Sequence, residues 1–199
     1  MKKLVVASGN KGKIKEIKAI LGDRYEVVSM KDEGCDLDVE ETGSTFLENA
    51  LIKARAIGEY LHEDVISDDS GLMVEALGGA PGVYSARYAG VHGDDALNRK
   101  TLLKNMQGVT DRRAKFVSAV VLYRQDGSFV TGEGETLGVI IDKERGENGF
   151  GYDSLFLSDD LGVTFGEASD EEKNSVSHRS RALKDLMKKL LSSSQLVTS

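Results

Sequence analysis

Cysteine, proline and tryptophan are almost missing from this chain of 199 residues, which carries one Cys, one Pro and no Trp. A lone Cys35 excludes an internal disulfide and cannot by itself build a zinc site, so a reducing, cytoplasmic setting is expected. No apolar run approaches the ~20 residues of a membrane helix. The short apolar stretch after Met1-Lys2-Lys3 also lacks the length of a secretory core, so no membrane partner is expected. Positive charge is scarce as well: 26 Lys and Arg stand against 33 Asp and Glu, a net charge of −7. Phosphate neutralisation dominates nucleic-acid affinity, so this balance speaks against a nucleic-acid partner. A small phosphorylated ligand needs only a few local cations and stays open.

What is present is a globular composition, 40% apolar and 30% charged with 22 glycines, which excludes disorder, collagen and low-complexity arrays. A chain of this size buries roughly 70% of its unfolded surface and needs no metal or disulfide to fold. One α/β domain is expected over residues 1–191, with residues 192–199 a frayed tail without function. Strand and helix signals alternate. Leu4-Val5-Val6-Ala7 is a short buried strand, and Ile14, Ile17 and Ile20/Leu21 mark an amphipathic helix ending at Gly22. Residues 25–30 form a second strand, and Asp36, Asp38, Glu40 and Glu41 crowd an acidic loop. Ser44 opens a helix whose buried stripe is Leu47, Ala50, Ala54, Ile57 and Leu61, with only half a capping box. A strand starts at Val65-Ile66, runs into Ser67-Asp68-Asp69-Ser70-Gly71 and resumes at Leu72-Met73-Val74. A helix over 95–106 and a long hairpin over 116–141 follow, turning at Gln125-Asp126-Gly127. Ser169 with Glu172 begins a helical turn. The last helix, capped by Ser177, buries Leu183, Leu186, Met187 and Leu190.

Three groups of residues can carry chemistry. Ser8-Gly9-Asn10-Lys11-Gly12-Lys13 joins a strand to a helix, where free amides, a hydroxyl and an ammonium make a phosphate cradle. It fits neither the Walker A spacing nor a dinucleotide fingerprint, and a plain turn with solvated lysines is the alternative. Glu40, Glu41, Asp68 and Asp69 are carboxylates without His or Cys partners, a set that suits Mg²⁺ or Mn²⁺ rather than zinc. Consecutive strand residues point oppositely, so one of Asp68 and Asp69 can face a site while the other bonds to loop backbone. A solvated acidic loop is the alternative there. Late in the chain, Phe150-Gly151-Tyr152-Asp153, Lys173 and Ser177-His178-Arg179 offer an aromatic slot for a flat base and donors around it. For His178 the competing assignment is an ordinary surface histidine, as for His62 and His92.

In this order and spacing, these segments resemble one family. The pieces are Ala-Ser-Gly-Asn-Lys-Gly-Lys near residue 10, Glu-Glu-Thr-Gly-Ser-Thr-Phe-Leu-Glu-Asn-Ala from Glu40, and Ser-Asp-Asp-Ser-Gly-Leu from Ser67. Leu-Gly-Gly-Ala-Pro-Gly-Val-Tyr-Ser-Ala-Arg from Leu77, Gly-Phe-Gly-Tyr-Asp from Gly149 and Ser-His-Arg from Ser177 complete the set. The chain resembles the inosine triphosphate pyrophosphatases (Ham1-like, XTP/dITP diphosphatases) from about Leu4 to the final helix. The resemblance implies an elongated α/β fold, a mixed central sheet flanked by helices, two lobes with an active-site cleft between them, and a homodimer. It implies Mg²⁺-dependent hydrolysis, with Mn²⁺ a possible substitute, of deaminated purine nucleoside triphosphates (ITP, dITP, XTP) to monophosphate and pyrophosphate. That reaction would cleanse the nucleotide pool and keep such bases out of DNA and RNA.

Residue by residue, it assigns the triphosphate to Ser8, Gly9, Asn10, Lys11, Gly12 and Lys13. Glu40 and Asp69 become metal ligands, Asp69 also the general base, and Ser70 a substrate contact. Phe150, Gly151, Tyr152 and Asp153 become the base-stacking segment, with Lys173, His178 and Arg179 closing on the purine and Lys53 and Arg87 as looser phosphate contacts. The chain departs from the family pattern at Ser8, where Thr is usual, and at Ser154, where Pro is usual, which is expected to loosen that turn slightly. That the α phosphorus is attacked comes from the resemblance; the residues alone equally allow γ attack. The rivals are a Maf-type pyrophosphatase, which the Phe150 and His178 segments oppose, and a nucleotide sensor, which would not need Glu40 and Asp69.

Overall fold

The computed structural model describes residues 1–195, with side chains through residue 193. In chain order the elements are β1 (Lys2–Val6), α1 (Lys11–Leu21), β2 (Tyr25–Ser29), α2 (Phe46–Leu61) and β3 (Val65–Val74). Then come α3 (Asp95–Asn105), β4 (Arg113–Tyr123), β5 (Phe129–Ile140), β6 (Phe156–Ser158), α4 (Asp170–Val176) and α5 (His178–Gln195). The strands make one six-stranded sheet in the order β2-β1-β3-β4-β5-β6. β1 is parallel to β2 and β3, while β5 and β6 are antiparallel. This is the mixed α/β sheet expected.

Local chemistry sets the helix ends. Asn10, in extended conformation, accepts the Lys13 N–H through Oδ1 at 3.1 Å and so opens α1. α2 begins one residue later than its sequence suggests. Thr45, not Ser44, is the cap, accepting the Glu48 N–H at 3.1 Å, and Glu48 reaches back to the Ser44 N–H at 2.8 Å. Counted from Thr45 the acid of the capping motif is in place; counted from Ser44 it is Leu47. α4 carries the full capping box of Ser169 and Glu172. β3 runs unbroken through Ser67–Gly71, with the Asp68 carbonyl and carboxylate paired within the fold rather than looped out. β6 was not expected, since three residues are too few to display an alternating pattern.

The chain forms two compact units. The first comprises Met1–Asp69, Ser118–Gly134 and Arg179 onward; the second comprises Ser70–Val117 and Glu135–His178. In the first, β1 serves both sheet faces by alternation: Leu4 and Val6 pack with Ile17, Leu21, Leu183 and Leu186, while Val5 and Ala7 pack with Ala50, Ala54 and Ile57. The second unit has its own core around Leu72, Leu102, Phe116, Ile140, Phe156 and Phe165. α5 buries Leu183 and Leu186 and half-buries Met187 and Leu190 as expected. It continues through Gln195, past the expected domain end at Leu191; residues 196–199 of the expected tail lie outside the described residues. Among the described residues no helix is long and apolar enough to cross a membrane.

Because α5 closes one face of the first unit's core, Leu186→Ala is expected to lower the unfolding free energy by about 2–4 kcal/mol in urea titration. A loss under about 1 kcal/mol would show that α5 is dispensable to that core.

Candidate active site

In the first unit, charge is gathered where β1 meets α1 and at Asp68-Asp69 within β3. Ser8 Oγ accepts the Asn10 N–H at 3.0 Å, which shapes the turn into α1. The first amides of an 11-residue helix then have no intrahelical partner and point outward from its positive end. Lys13, one turn in, lies 3.3 Å from Asp68 Oδ2. Burial pulls the Lys13 ammonium below its ordinary pKa, and the neighbouring Lys53 and Arg179 add to this, while Asp68 opposes it.

Asp68 and Asp69 take opposite sides of β3, as alternation requires. Asp68 faces charged and polar side chains of α1, β4 and α5. Its Oδ2 accepts from Arg179 Nε at 3.3 Å and Nη2 at 3.1 Å, and its Oδ1 accepts from Ser118 Oγ at 2.6 Å. Arg179 also pairs with Glu16 of α1. Burial alone would raise the Asp68 pKa; Arg179 and Lys13 outweigh it and hold this carboxyl well below the usual range. Asp69 has the reverse balance. Burial, with Glu41 nearby, pushes it up to about 6 against the pull of Lys53 and Lys13. Its Oδ2 is buried without a hydrogen-bond partner. A buried carboxylate oxygen left open in this way is primed for a ligand or a proton.

The acidic segment reaches this group through α2. Lys53 pairs with Glu41 at 3.0 Å and donates to the Asp68 carbonyl at 2.8 Å. Asn49 Oδ1 accepts the Gly43 N–H at 2.7 Å, an approach so close that a Cβ on Gly43 would stand 2.7 Å from that same oxygen. Glu40 is exposed, and Glu41, half-buried, is the one turned toward Lys53.

The second unit holds a separate aromatic group. Gly149 and Gly151 both take left-handed backbone, with φ of 72° and 59°, and so place Phe150 between two reversals. Asp153 Oδ2 accepts the Phe150 N–H at 3.0 Å and the Lys173 ammonium at 2.6 Å. That ammonium stands 4.6 Å from the Phe150 ring centroid. His178 stacks on Phe116 at 4.8 Å, and is buried rather than on the surface. Tyr152 faces the core, its hydroxyl donating to the Ser85 carbonyl at 2.6 Å, and burial raises its pKa.

Comparison with known proteins adds to this geometry. The profile of the Ham1 family matches residues 4–189. The chain belongs to the Ham1 family. It is 51% identical over 193 residues to a dITP/XTP pyrophosphatase of Haemophilus influenzae, covering 94% of this chain and 98% of that one. With a dITP/XTP pyrophosphatase of Listeria monocytogenes the identity is 48% over 203 residues, covering 100% and 99%. The solved structure of a Ham1 protein from Staphylococcus aureus superimposes with a TM-score of 0.84 at 44% identity, covering 97% and 100%.

Of the residues singled out from this Ham1 sequence, Ser8–Lys13, Lys53 and Asp69 belong to the first unit's charged group, and Ser70 follows Asp69 on β3. Phe150, Gly151, Tyr152, Asp153, Lys173 and His178 belong to the second unit, as does Arg87, whose guanidinium lies 5.1 Å over the Tyr84 ring. Arg179, at the start of α5, belongs to the first unit. Its guanidinium pairs with the buried carboxylates of Asp68 and Glu16 through charge-assisted contacts. Sequence reasoning missed Glu16, Asn49 and Ser118. Glu16 left one signal, an acid interrupting the apolar stripe of α1 one turn after Lys13; Ser118, inside an apolar strand, left none.

Two pH-linked outcomes follow from Asp69. Its pKa is raised, so ionising it costs stability in the folded state, and the cost appears as pH climbs from the ordinary value of 3.8 through about 6. Asp69→Asn is therefore expected to be more stable than the parent at pH 8 without metal, by roughly 1–3 kcal/mol. The advantage should vanish near pH 4. Urea titrations at both pH values check this, and equal gains at both would remove the titration of Asp69 as the cause.

Proposed function

We propose that this protein hydrolyses ITP, dITP and XTP to the monophosphate and pyrophosphate, and so clears deaminated purines from the nucleotide pool. The observation that carries the reading is Asp69: a buried carboxyl with an open oxygen and a pKa of about 6, beside Lys13 and Lys53. A base titrating near neutrality can both orient and deprotonate water at physiological pH. The names of relatives at about half identity, dITP/XTP pyrophosphatases, support the substrate class.

In this reading Ser8–Lys13 takes the phosphates, with the α1 amides and Lys13 as donors. The donor set fits Mg²⁺, or Mn²⁺, because it is all oxygen and Asp69 Oδ2 is open. Among the described residues no three acid, His or Cys side chains converge as a self-contained metal cage. Mg²⁺ needs none, since it is commonly shared between one or two carboxylates and substrate phosphates. Asp69 would hold it with a glutamate of the 40–41 pair. Glu40 is the ligand the resemblance implies, and Glu41 is already near enough to act on the Asp69 pKa. The chemistry that a bound Mg²⁺ supplies is neutralisation of charge on the leaving pyrophosphate.

Phe150 offers a face to the purine, and Lys173 with the turn at His178 offers donors to an oxygen at position 6. Adenine carries an amino donor there, and a buried donor facing a donor loses orders of magnitude in kcat/KM. A homodimer in the cytoplasm completes the proposal, from the family resemblance.

Separate incubation with Mg²⁺ and ITP, XTP, GTP or ATP, followed by chromatography of the products, tests it. IMP or XMP with pyrophosphate, and little from GTP or ATP, is expected. IDP with free phosphate would overturn the choice of bond, and equal turnover of GTP would overturn the selectivity. Asp69→Asn is expected to lose at least 100-fold in kcat, in the range general acid–base catalysis contributes.

A further inference from the structure

α3 carries little apolar surface to the core: of its residues only Asn98 and Leu102 are buried. Its polar residues are occupied instead. Asp94 caps the helix through the Leu97 N–H at 3.0 Å, which leaves the next residue, Asp95, free of capping duty. Asp95 Oδ2 accepts the Gly151 N–H at 3.1 Å, and Arg99 Nη1 donates to the Gly151 carbonyl at 2.9 Å. Positions i and i+4 share a helix face, so one face of α3 grips both the amide and the carbonyl of a single glycine.

The grip is extended. Arg99 Nε lies 2.6 Å from Glu144 Oε1, an ion pair too bent for a hydrogen bond, and that oxygen accepts the Ser154 hydroxyl at 2.7 Å. Ser154 stands where the family pattern has Pro. In place of a pyrrolidine ring the turn has a hydroxyl bonded to Glu144, which in turn pairs with Arg99.

We propose that Asp95 and Arg99 are positioning residues for the purine, acting through Gly151 on the orientation of the Phe150 ring. This rests on the reading of Phe150 as the base platform. A left-handed glycine has the broadest conformational freedom of any residue, and here it adjoins the one aromatic side chain of the segment that is not in the core. Fixing both polar groups of its backbone removes that freedom before substrate arrives, so the ordering is not charged against binding. The phosphate-binding residues are untouched by the bracket, so its loss weakens base recognition alone.

The test uses Arg99→Met and Asp95→Leu, with Asp95→Asn as the conservative partner that keeps an acceptor oxygen, all verified by circular dichroism and cooperative unfolding. With ITP and Mg²⁺, the first two are expected to raise KM about tenfold with kcat within about twofold of the parent, the size of a lost charge-assisted hydrogen bond. Inhibition by IMP should weaken by the same factor while inhibition by inorganic pyrophosphate stays unchanged, and Asp95→Asn should match the parent. Unchanged KM and IMP inhibition in both variants, or equal weakening of IMP and pyrophosphate, overturns the bracket. A parent protein that does not turn over ITP overturns the functional reading instead. The bracket is then judged on hydrogen exchange at the Gly151 amide, which should be slow in the parent and at least about tenfold faster in Asp95→Leu; equal rates overturn it.

Discussion

The first unit is organised around one buried charge, the carboxylate of Asp68. An ionised group taken out of water is tolerated only when its partners replace the lost hydration. Here those partners come from three distant parts of the chain: Lys13 from α1, Ser118 from β4, and Arg179 from the start of α5. Arg179 in turn is balanced by Glu16. The cluster therefore ties α1, two central strands and the last helix to one point. Removing any one member would leave the others buried and uncompensated, which explains why such different residue types have to be present together.

The neighbouring carboxyl shows what that arrangement makes possible. Asp68 and Asp69 are chemically identical and adjacent, yet their pKa values are driven in opposite directions by what each faces. Asp68 absorbs the guanidinium and the hydroxyl; Asp69 is left with burial, a nearby glutamate and an open oxygen. A division of two acids into one permanently ionised and one poised near neutrality is what acid–base chemistry requires. The strand's alternation produces it without any change of residue type.

Much of this was legible in the sequence where the signal is local. The stripe from Leu47 to Leu61, the Ser169–Glu172 cap and the glycine-bounded Phe150 all act within a few residues of themselves, so spacing reveals them. The cap of α2 was misplaced by one residue because Ser44 and Thr45 are both able to cap, and only the backbone turn decides between them. Arg179 was legible as a candidate, but the carboxylates its guanidinium meets were not. Its partners lie 111 and 163 residues away, and no spacing rule reaches that far. Ser118 was invisible for the same reason, being a small polar residue in an apolar run that only the Asp68 carboxylate explains.

The second unit solves a different problem with weaker forces. In its proposed role as a platform for a flat base, Phe150 has to be rigid yet partly open, so burial alone cannot hold it. Tyr152 and Phe165 are sunk in the core, whereas Phe150 is held by the Lys173 ammonium over its ring and by the bonds of its neighbouring backbone. α3 contributes polar side chains to this, at the expense of an apolar stripe of its own. The sequence marks this segment only as a helix, because charges on a helix face are normally exposed and carry no sign of a partner. The difference lies in the partner: a solvated Arg99 would contribute almost nothing, whereas one seated on the Gly151 carbonyl converts side-chain charge into backbone order.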